Sequence, residues 1–242
     1  MDVDYVRVWA FREAGDGLYV SVSYDEGRWR ILREKRAQAL KMMEALLGAG
    51  IDSITYGSVA RGDVHPLSDV EVFVPRPVNT VVVEAIVERA HGGWVRREVV
   101  QATPGYVPKG YIYLDEYSTV SFPLVEMLRS ESIFYDIAGK LDLKGVKGGE
   151  RVPGMNKEMK VIIPTEYGHA EFPAEKDPEH AAKLLRIDPQ ALRRRIEVLR
   201  RRRLHGKTGV FVKVVLGDSE SFSNVLERLI DENPWLRRRV RG

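Results

Sequence analysis

The first half of the chain alternates between strand-like and helix-like patterns of hydrophobic residues. Apolar and polar positions alternate in VRVWAF and again in GDGLYVSVSY, which predicts a hairpin within residues 3–25. From Trp29 to Leu47 apolar residues recur at helical spacing, and Gly48 and Gly50 end the helix. IDSITYG and SDVEVFVP are then predicted as strands, and VNTVVVEAIVERAHG as another helix. This order of elements predicts an α+β domain with a small mixed β-sheet.

The middle of the chain continues with shorter elements and one glycine-rich segment. REVVQA, GYIYLD and STVSFPL have the pattern of strands, and VEMLRSESIFYDIAGKL that of a helix. KGVKGGERVPGMN, residues 144–156, is rich in Gly and poor in large apolar residues, so we place a linker or long loop there. MKVIIPT is predicted as a strand, and no regular structure is assigned to EYGHAEFPAEKDP. These patterns predict three regions: a first domain over 1–145, a linker and strand over 146–175, and a second small domain over 176–242.

The last region has the element order of a winged helix-turn-helix module. EHAAKLLRI forms a short helix after Pro178, and Asp188-Pro189 begins a second helix, QALRRRIEVLRRRRL. We expect Leu192, Ile196, Leu199 and Val198 on the inner side of the second helix, with arginines on the rest of its surface. HGKTG is a turn, and VFVKVVLG is the strand of a wing. The candidate nucleic-acid contacts are Arg193, Arg194, Arg195, Arg200 and Lys207.

Charge separates this region from the rest of the chain. Residues 1–175 carry 21 Lys and Arg against 26 Asp and Glu, a net charge of −5, whereas residues 176–242 carry 17 against 9, a net charge of +8. A basic module is typical of proteins that bind an anionic partner, and nucleic acid is the partner we expect. A solvated arginine-rich helix with no partner is the alternative reading of the same charges.

Composition limits the remaining chemistry. The chain contains no cysteine, which excludes disulfides, thiolate zinc sites and cysteine nucleophiles. The N-terminal sequence MDVDYVRVWAFREAG does not resemble a signal peptide, and no apolar run approaches the roughly 20 residues of a membrane span. We therefore expect a cytoplasmic protein that does not interact with membranes. The histidines are scattered without the spacing of a metal cluster.

Two acidic residues interrupt an otherwise apolar strand, SDVEVFV. Alternation places Asp69, Glu71 and Phe73 on one face of the strand and three valines on the other. Two carboxylates about 7 Å apart on one strand face repel each other unless a cation lies between them. Mg²⁺ suits this position because it prefers oxygen ligands and keeps coordination positions for substrate phosphates. An exposed acidic strand face with no ligand is the alternative.

A phosphate-binding turn is predicted just before the acidic strand. Gly57 and Ser58 follow one strand and begin a short helix, where backbone N–H groups and the Ser58 hydroxyl would receive a phosphate. Arg61 either adds a positive charge for the phosphate or braces the loop by pairing with an acid.

Together, Gly57-Ser58, Ala60-Arg61-Gly62 and Ser68-Asp69-Val70-Glu71 resemble the signature of the DNA polymerase beta nucleotidyltransferase superfamily. The resemblance covers about 20 residues of motif and a compatible order of elements. It implies transfer of a nucleoside monophosphate from a nucleoside triphosphate, such as ATP, to an acceptor hydroxyl. It also implies two Mg²⁺ ions held by three carboxylates.

The sequence departs from this signature at two positions. Glu71 stands where the family usually has Asp, and its extra methylene displaces the carboxylate by more than an ångström. Ser121 stands on the later strand where the third carboxylate is expected. Asp115 and Glu116 lie nearby in sequence, but we interpret them as a hairpin turn.

Two hypotheses for the function follow. In the first, Asp69 and Glu71 bind Mg²⁺, while Gly57, Ser58 and Arg61 bind the triphosphate, and the basic module presents an acceptor such as nucleic acid. In the second, the chain is a non-catalytic member of the fold that regulates DNA through its winged helix. We expect a symmetric homodimer in the second case, because two recognition helices must then lie one DNA turn apart.

Overall fold

In the computed structural model of the protein, residues 19–206 and 209–241 are described, and they combine helices with strands of mixed direction. The α+β class is therefore confirmed. Contacts within the chain define two compact units. The first consists of residues 19–35, 56–68 and 133–206, and the second of residues 36–55, 69–132 and 209–241. The three sequence domains, which were assigned from composition and motifs, stay a prediction.

An antiparallel sheet forms the framework of the first unit. Its strand order is β1-β10-β9-β8, with strands β1 (Val20–Ser23), β8 (Gly154–Met155), β9 (Lys160–Thr165) and β10 (Gly168–Pro173). Strand β1 pairs with β10, and the hairpin partner predicted for β1 in residues 3–25 lies outside the described residues. The sequence analysis predicted no regular structure for the segment that forms β10. Its sequence shows no alternation because His169, Ala170 and Phe172 are all buried, on both faces of the strand.

Two helices cover this sheet, and they begin where the sequence predicts. Helix α6 (Pro178–Leu185) and helix α7 (Pro189–His205) each have proline in the first turn. Asp177 caps α6 by accepting from the N–H of His180, and Asp188 caps α7 by accepting from that of Gln190. The core joins apolar side chains of β9, β10 and both helices, including Val161, Ile163, Phe172, Leu185, Leu192, Ile196 and Leu199. Val198, predicted to be on the inner side, is 43% exposed.

Further elements complete this region. Helix α2 (Ser58–Arg61), strand β7 (Lys140–Asp142) and helix α5 (Leu143–Lys147) belong to the first unit. Helices α1 (Glu26–Leu47) and α4 (Arg129–Ala138) have residues in both units. The glycine-rich segment 144–156, predicted as a linker or loop, contains most of α5 and strand β8.

A mixed sheet forms the framework of the second unit. Its strands follow the order β11-β4-β5-β6-β3-β2, and their bounds are β2 (Ile54–Tyr56), β3 (Val70–Phe73), β4 (Arg96–Gln101), β5 (Lys109–Tyr113), β6 (Ser118–Pro123) and β11 (Val212–Val215). Strands β3 and β6 are parallel, and the other neighbours in this order are antiparallel. The strands predicted in IDSITYG, SDVEVFVP, REVVQA, GYIYLD and STVSFPL are all present.

The helices of the second unit are α3 (Thr80–His91), α8 (Phe222–Glu232) and α9 (Pro234–Arg241). Phe222 of α8 packs edge-on against Phe122 of β6, with ring centroids 5.1 Å apart. A buried ion pair links α3 to the sheet, because Arg97 donates to Glu84 at 2.5 Å. In the described part of the chain, none of the helices combines the length and hydropathy that crossing a bilayer requires.

We predict that Gly110→Ala lowers the free energy of unfolding by about 2 kcal/mol. A Cβ at Gly110 would lie 2.5 Å from Cε2 of Phe122 and 3.0 Å from Cε1 of Phe222, and both rings are fully buried. Urea denaturation followed by tryptophan fluorescence measures the change. Gly105→Ala is the control, since its Cβ would enter open space and should change stability by less than about 0.5 kcal/mol. Equal stability of the two variants would contradict this packing.

Candidate functional site

The Gly57-Ser58 turn begins a four-residue helix, as the sequence predicts. Gly57 has a φ of 74°, a left-handed conformation that favours glycine, and its N–H donates to the carbonyl of Gly139 at 2.9 Å. Its carbonyl accepts from the N–H groups of Ala60 and Arg61. Gly62, with a φ of 101°, ends the helix. The two glycines of the motif therefore form the entry and the exit of α2, which lies in the first unit.

Arg61 is buried, and its described contacts are with the protein itself. Its Nη1 donates to the carbonyl of Ala138 at 2.6 Å, and its Nη2 donates to Oδ2 of Asp63 at 2.9 Å. These contacts match the alternative in which Arg61 braces the loop. Contact of Arg61 with a nucleotide stays a prediction.

The two carboxylates of the motif lie at strand β3 of the second unit. Val70, Val72 and Val74 are buried, as the alternation predicts. Asp69 precedes the strand and is exposed, whereas Glu71 is half-buried and Phe73 is completely buried. The face that carries Glu71 is therefore open at the start of the strand and closed at its end.

The neighbouring strand supplies hydroxyl groups to this face. Parallel pairing of β3 with β6 places Thr119 opposite Glu71 and Ser121 opposite Phe73. Side chains at paired positions point to the same side of a sheet. Glu71, Phe73, Thr119 and Ser121, together with Lys109 and Tyr111 of β5, thus define one side of the sheet, which we call the Glu71 face.

Asp115 belongs to the turn between β5 and β6, as we interpreted it. Its Oδ1 accepts from the N–H groups of Tyr117 and Ser118, both at 2.7 Å. Partial burial opposes ionisation, but these hydrogen bonds outweigh it and lower the pKa of Asp115 below its usual value. Asp115 therefore stabilises the hairpin, and β6 itself contains no acidic residue.

These residues fit one Mg²⁺ ion better than two. Asp69 and Glu71 offer two carboxylates, and Thr119 and Ser121 add neutral hydroxyls beside them. Within residues 19–206 and 209–241, no group of three His, Cys, Asp or Glu side chains could hold a metal ion. The three-carboxylate set that the resemblance implies is thus not assembled on this face by the described residues.

Lys109 is a residue of the Glu71 face that the sequence analysis missed. Only 7% of it is exposed, and its Nζ lies 5.2 Å from the ring centroid of Phe73 and 5.4 Å from that of Tyr106. Burial lowers the pKa of Lys109 to about 8, against the opposing effect of Glu131 and Glu71. The alternation of Lys109 with Tyr111 and Tyr113 could have indicated that the three side chains share one face of a strand. The predicted strand GYIYLD, however, began at Gly110 and left Lys109 out.

Tyrosines and a second carboxylate extend the Glu71 face toward β4. Burial, followed by the charge of Glu71, raises the pKa of Tyr111. Tyr113 donates to Oε2 of Glu98 at 3.0 Å, and Glu98 also pairs with Arg96 at 2.8 Å and with Lys213 at 3.2 Å. The carboxylate of Glu98 is therefore paired with three side chains of the same sheet. The register of that sheet places Glu98 opposite Tyr111 of β5.

The arginines of α7 are largely paired within the first unit. Arg193 contacts Glu179, Arg200 lies 3.3 Å from Glu175, and Arg194 lies 3.9 Å from Asp188. Arg195 lies over the ring of Phe134, with its Cζ 4.9 Å from the centroid. Lys207 lies outside the described residues. Arg193, Arg194 and Arg200 are nevertheless exposed, and surface ion pairs of this kind exchange readily with other anions.

Strand β11, predicted as part of a wing, has a different partner. Val212–Val215 pairs with β4 at one end of the second unit's sheet. The described residues of β11 are therefore an edge strand of that sheet, and the winged-helix module stays a prediction. The helix-turn-helix order of α6 and α7 remains, with Arg186, Ile187 and Asp188 between the helices.

A scan against protein-family models, a search of curated proteins and a search of solved structures each found no match to this chain. The functional inference therefore depends on the motif and on the geometry of its residues.

We predict that Arg61→Met lowers the free energy of unfolding by about 3 kcal/mol, because it leaves the buried carboxylate of Asp63 without its positive partner. The double variant with Asp63→Asn should recover part of the loss, which a double-mutant cycle in urea would measure. Arg76→Met is the control, because its ion pair with Asp52 is exposed and should contribute less than about 1 kcal/mol. A loss at Arg61 no larger than at Arg76 would refute the bracing role.

Proposed function

We propose that the chain is a nucleotidyltransferase, which moves a nucleoside monophosphate from a nucleoside triphosphate to an acceptor hydroxyl. The observation that carries the proposal is the position of Asp69 and Glu71, at the open end of a sheet face whose opposite side is buried valine. Two carboxylates at neighbouring positions of one strand face offer the oxygen ligands that Mg²⁺ prefers. The resemblance of the surrounding motif to the polymerase beta superfamily supports the same reaction.

Each motif residue has a role in this proposal. Asp69 and Glu71 would hold Mg²⁺, which when bound neutralises the charge of the triphosphate and of the leaving pyrophosphate. Gly57 lets the backbone approach a phosphate, and Ser58 offers a hydroxyl to it. The acceptor oxygen forms a bond to the α-phosphorus as the bond to pyrophosphate breaks, and the hydroxyl proton leaves to solvent. Arg61 would stabilise the turn through its hydrogen bonds to the carboxylate of Asp63 and the carbonyl of Ala138.

A specific observation favours a second candidate function, a non-catalytic regulator that binds DNA. The position beside the carboxylates on β6 is occupied by Thr119 and Ser121, which are poor ligands for a second ion. A chain that binds nucleotide weakly or not at all could still use α6 and α7 as a helix-turn-helix, with α7 as the helix that contacts DNA.

The nucleotidyltransferase proposal predicts Mg²⁺-dependent binding of a nucleoside triphosphate. Titration calorimetry of the full chain with each nucleoside triphosphate, in Mg²⁺ and in EDTA, measures it. Asp69→Asn should weaken binding in Mg²⁺ at least about tenfold, because one of two cation ligands is lost. Glu71→Asp, which restores the family residue, should retain or tighten binding.

Glu116→Gln is the matched control, since it removes an exposed acid in the β5–β6 turn without touching the motif. If the unmodified protein bound no triphosphate at all, the nucleotidyltransferase proposal would fail and the regulator would remain. If it bound triphosphate but transferred no labelled monophosphate to nucleic acid, small alcohols or protein, a binding role would replace the transfer reaction.

The basic helix predicts salt-dependent binding of nucleic acid. We expect Arg194→Gln combined with Arg200→Gln to weaken binding of a labelled DNA duplex about tenfold, and to reduce the slope of log affinity against log salt by about 2. Fluorescence anisotropy at several salt concentrations measures both quantities. Removal of two exposed arginines from α1, Arg30→Gln with Arg33→Gln, should have no such effect. Equal losses in the two double variants would mean that α7 has no special role.

A further inference from the structure

Helix α9 of the second unit exposes one aromatic ring to solvent. Trp235 is 57% exposed, whereas Leu236, the next residue, is completely buried. The other apolar side chains of α8 and α9 are buried or half-buried. Tryptophan is highly buried on average in folded proteins. An exposed tryptophan that stands apart from other exposed apolar side chains therefore needs an explanation other than core packing.

Side-chain contacts hold α9 in place within the second unit. Oδ1 of Asn233 accepts from the N–H groups of Trp235 and Leu236, at 3.0 and 3.2 Å, and so caps the start of the helix. Arg239, near the other end of α9, donates to Oε2 of Glu131 at 2.8 Å, and the Glu131 side chain is only 4% exposed. The exposure of Trp235 is therefore a property of a helix that is fixed at both ends.

Positive charge surrounds Trp235 along α9. Residues 231–241 contain four arginines against two acids, a net charge of +2. Arg238 lies one helical turn from Trp235, and its Cζ is 5.5 Å from the centroid of the indole ring. This separation is within the range of a cation–π contact. Arg238 is also exposed, so the ring and the guanidinium group form one surface, which we call the Trp235 platform.

The Trp235 platform has the chemistry that single-stranded nucleic acid requires. Proteins that bind single strands stack bases on aromatic rings and place cations beside the phosphates. A base within a duplex is already stacked on both faces, so an indole ring reaches it poorly. A protein partner would be expected to cover a contiguous apolar patch, and Trp235 is the one exposed apolar side chain of α8 and α9.

We propose that Trp235 and Arg238 bind single-stranded nucleic acid, with a base stacked on the indole ring and its phosphate beside the guanidinium group. This surface differs from α7, the helix that we expect to contact duplex DNA, because α7 lies in the first unit and α9 in the second. The inference does not rest on the nucleotidyltransferase proposal, since stacking on Trp235 requires neither Mg²⁺ nor a nucleoside triphosphate.

Titration of the full chain with a labelled oligothymidylate of about 12 nucleotides, in EDTA and followed by fluorescence anisotropy, tests the inference. We expect Trp235→Ala to weaken binding at least about tenfold, because a stacked base is lost, and Trp235→Phe to retain most of the affinity. Arg238→Gln should weaken binding and reduce the slope of log affinity against log salt by about 0.7, the value for one phosphate contact on a single strand. Tryptophan fluorescence should be quenched on binding, and less so in Trp235→Phe.

Tyr167→Ala is the matched control, because Tyr167 is also an exposed aromatic residue, at 74%, but it follows Glu166 in the turn between β9 and β10. It should leave the affinity unchanged. Equal losses in Tyr167→Ala and Trp235→Ala would overturn the inference, as would absence of binding by the unmodified protein. If Trp235→Ala kept its affinity but dissociated an oligomer in light scattering, Trp235 would be a subunit contact and the inference would be wrong.

Discussion

The parallel pairing of β3 with β6 determines which side chains surround the acidic pair. Val70 and Val72 are buried on one side of the sheet, so the register of β3 cannot slip by one residue without turning Glu71 into the core. That register places Thr119 beside Glu71 and Ser121 beside Phe73. Pairing of β6 with β5 then places Tyr111 beside Ser121, and Lys109 two residues away. The side chains of the Glu71 face therefore depend on these two strand pairings.

Charges in the second unit's sheet are compensated locally. Glu98 is matched by Arg96 and Lys213, Glu84 by Arg97, and Glu131 by Arg239. Asp69 differs from these buried acids because it is exposed and lies at the end of a strand. A carboxylate that takes part in folding is enclosed with its partner, whereas a carboxylate that receives a ligand must remain accessible. This contrast separates Asp69 from the buried acids of the second unit, although Glu116 in the β5–β6 turn is exposed as well.

Local sequence patterns predicted most elements because each is set by a few neighbouring residues. The prolines and capping aspartates of α6 and α7 fix the starts of those helices, and alternation of valine with acid identifies β3. Pairing between distant strands was not predictable in this way. The partners of β1 and β11 depend on residues more than a hundred positions away, and β10 lost its alternation through burial on both sides. Lys109 was missed for a related reason, since its place on the Glu71 face depends on the pairing of β5 with β6 and of β6 with β3.

The division of the chain has a consequence for its assembly. Each compact unit is built from three separate segments, so the chain passes from one unit to the other five times. Cleavage of one peptide bond therefore cannot release either unit intact. Neither unit can be added or removed as one contiguous insertion of sequence. Many contacts in this chain join residues far apart in sequence, an arrangement that slows folding. We therefore expect the two units to form in one folding reaction, because consecutive segments of the chain alternate between them.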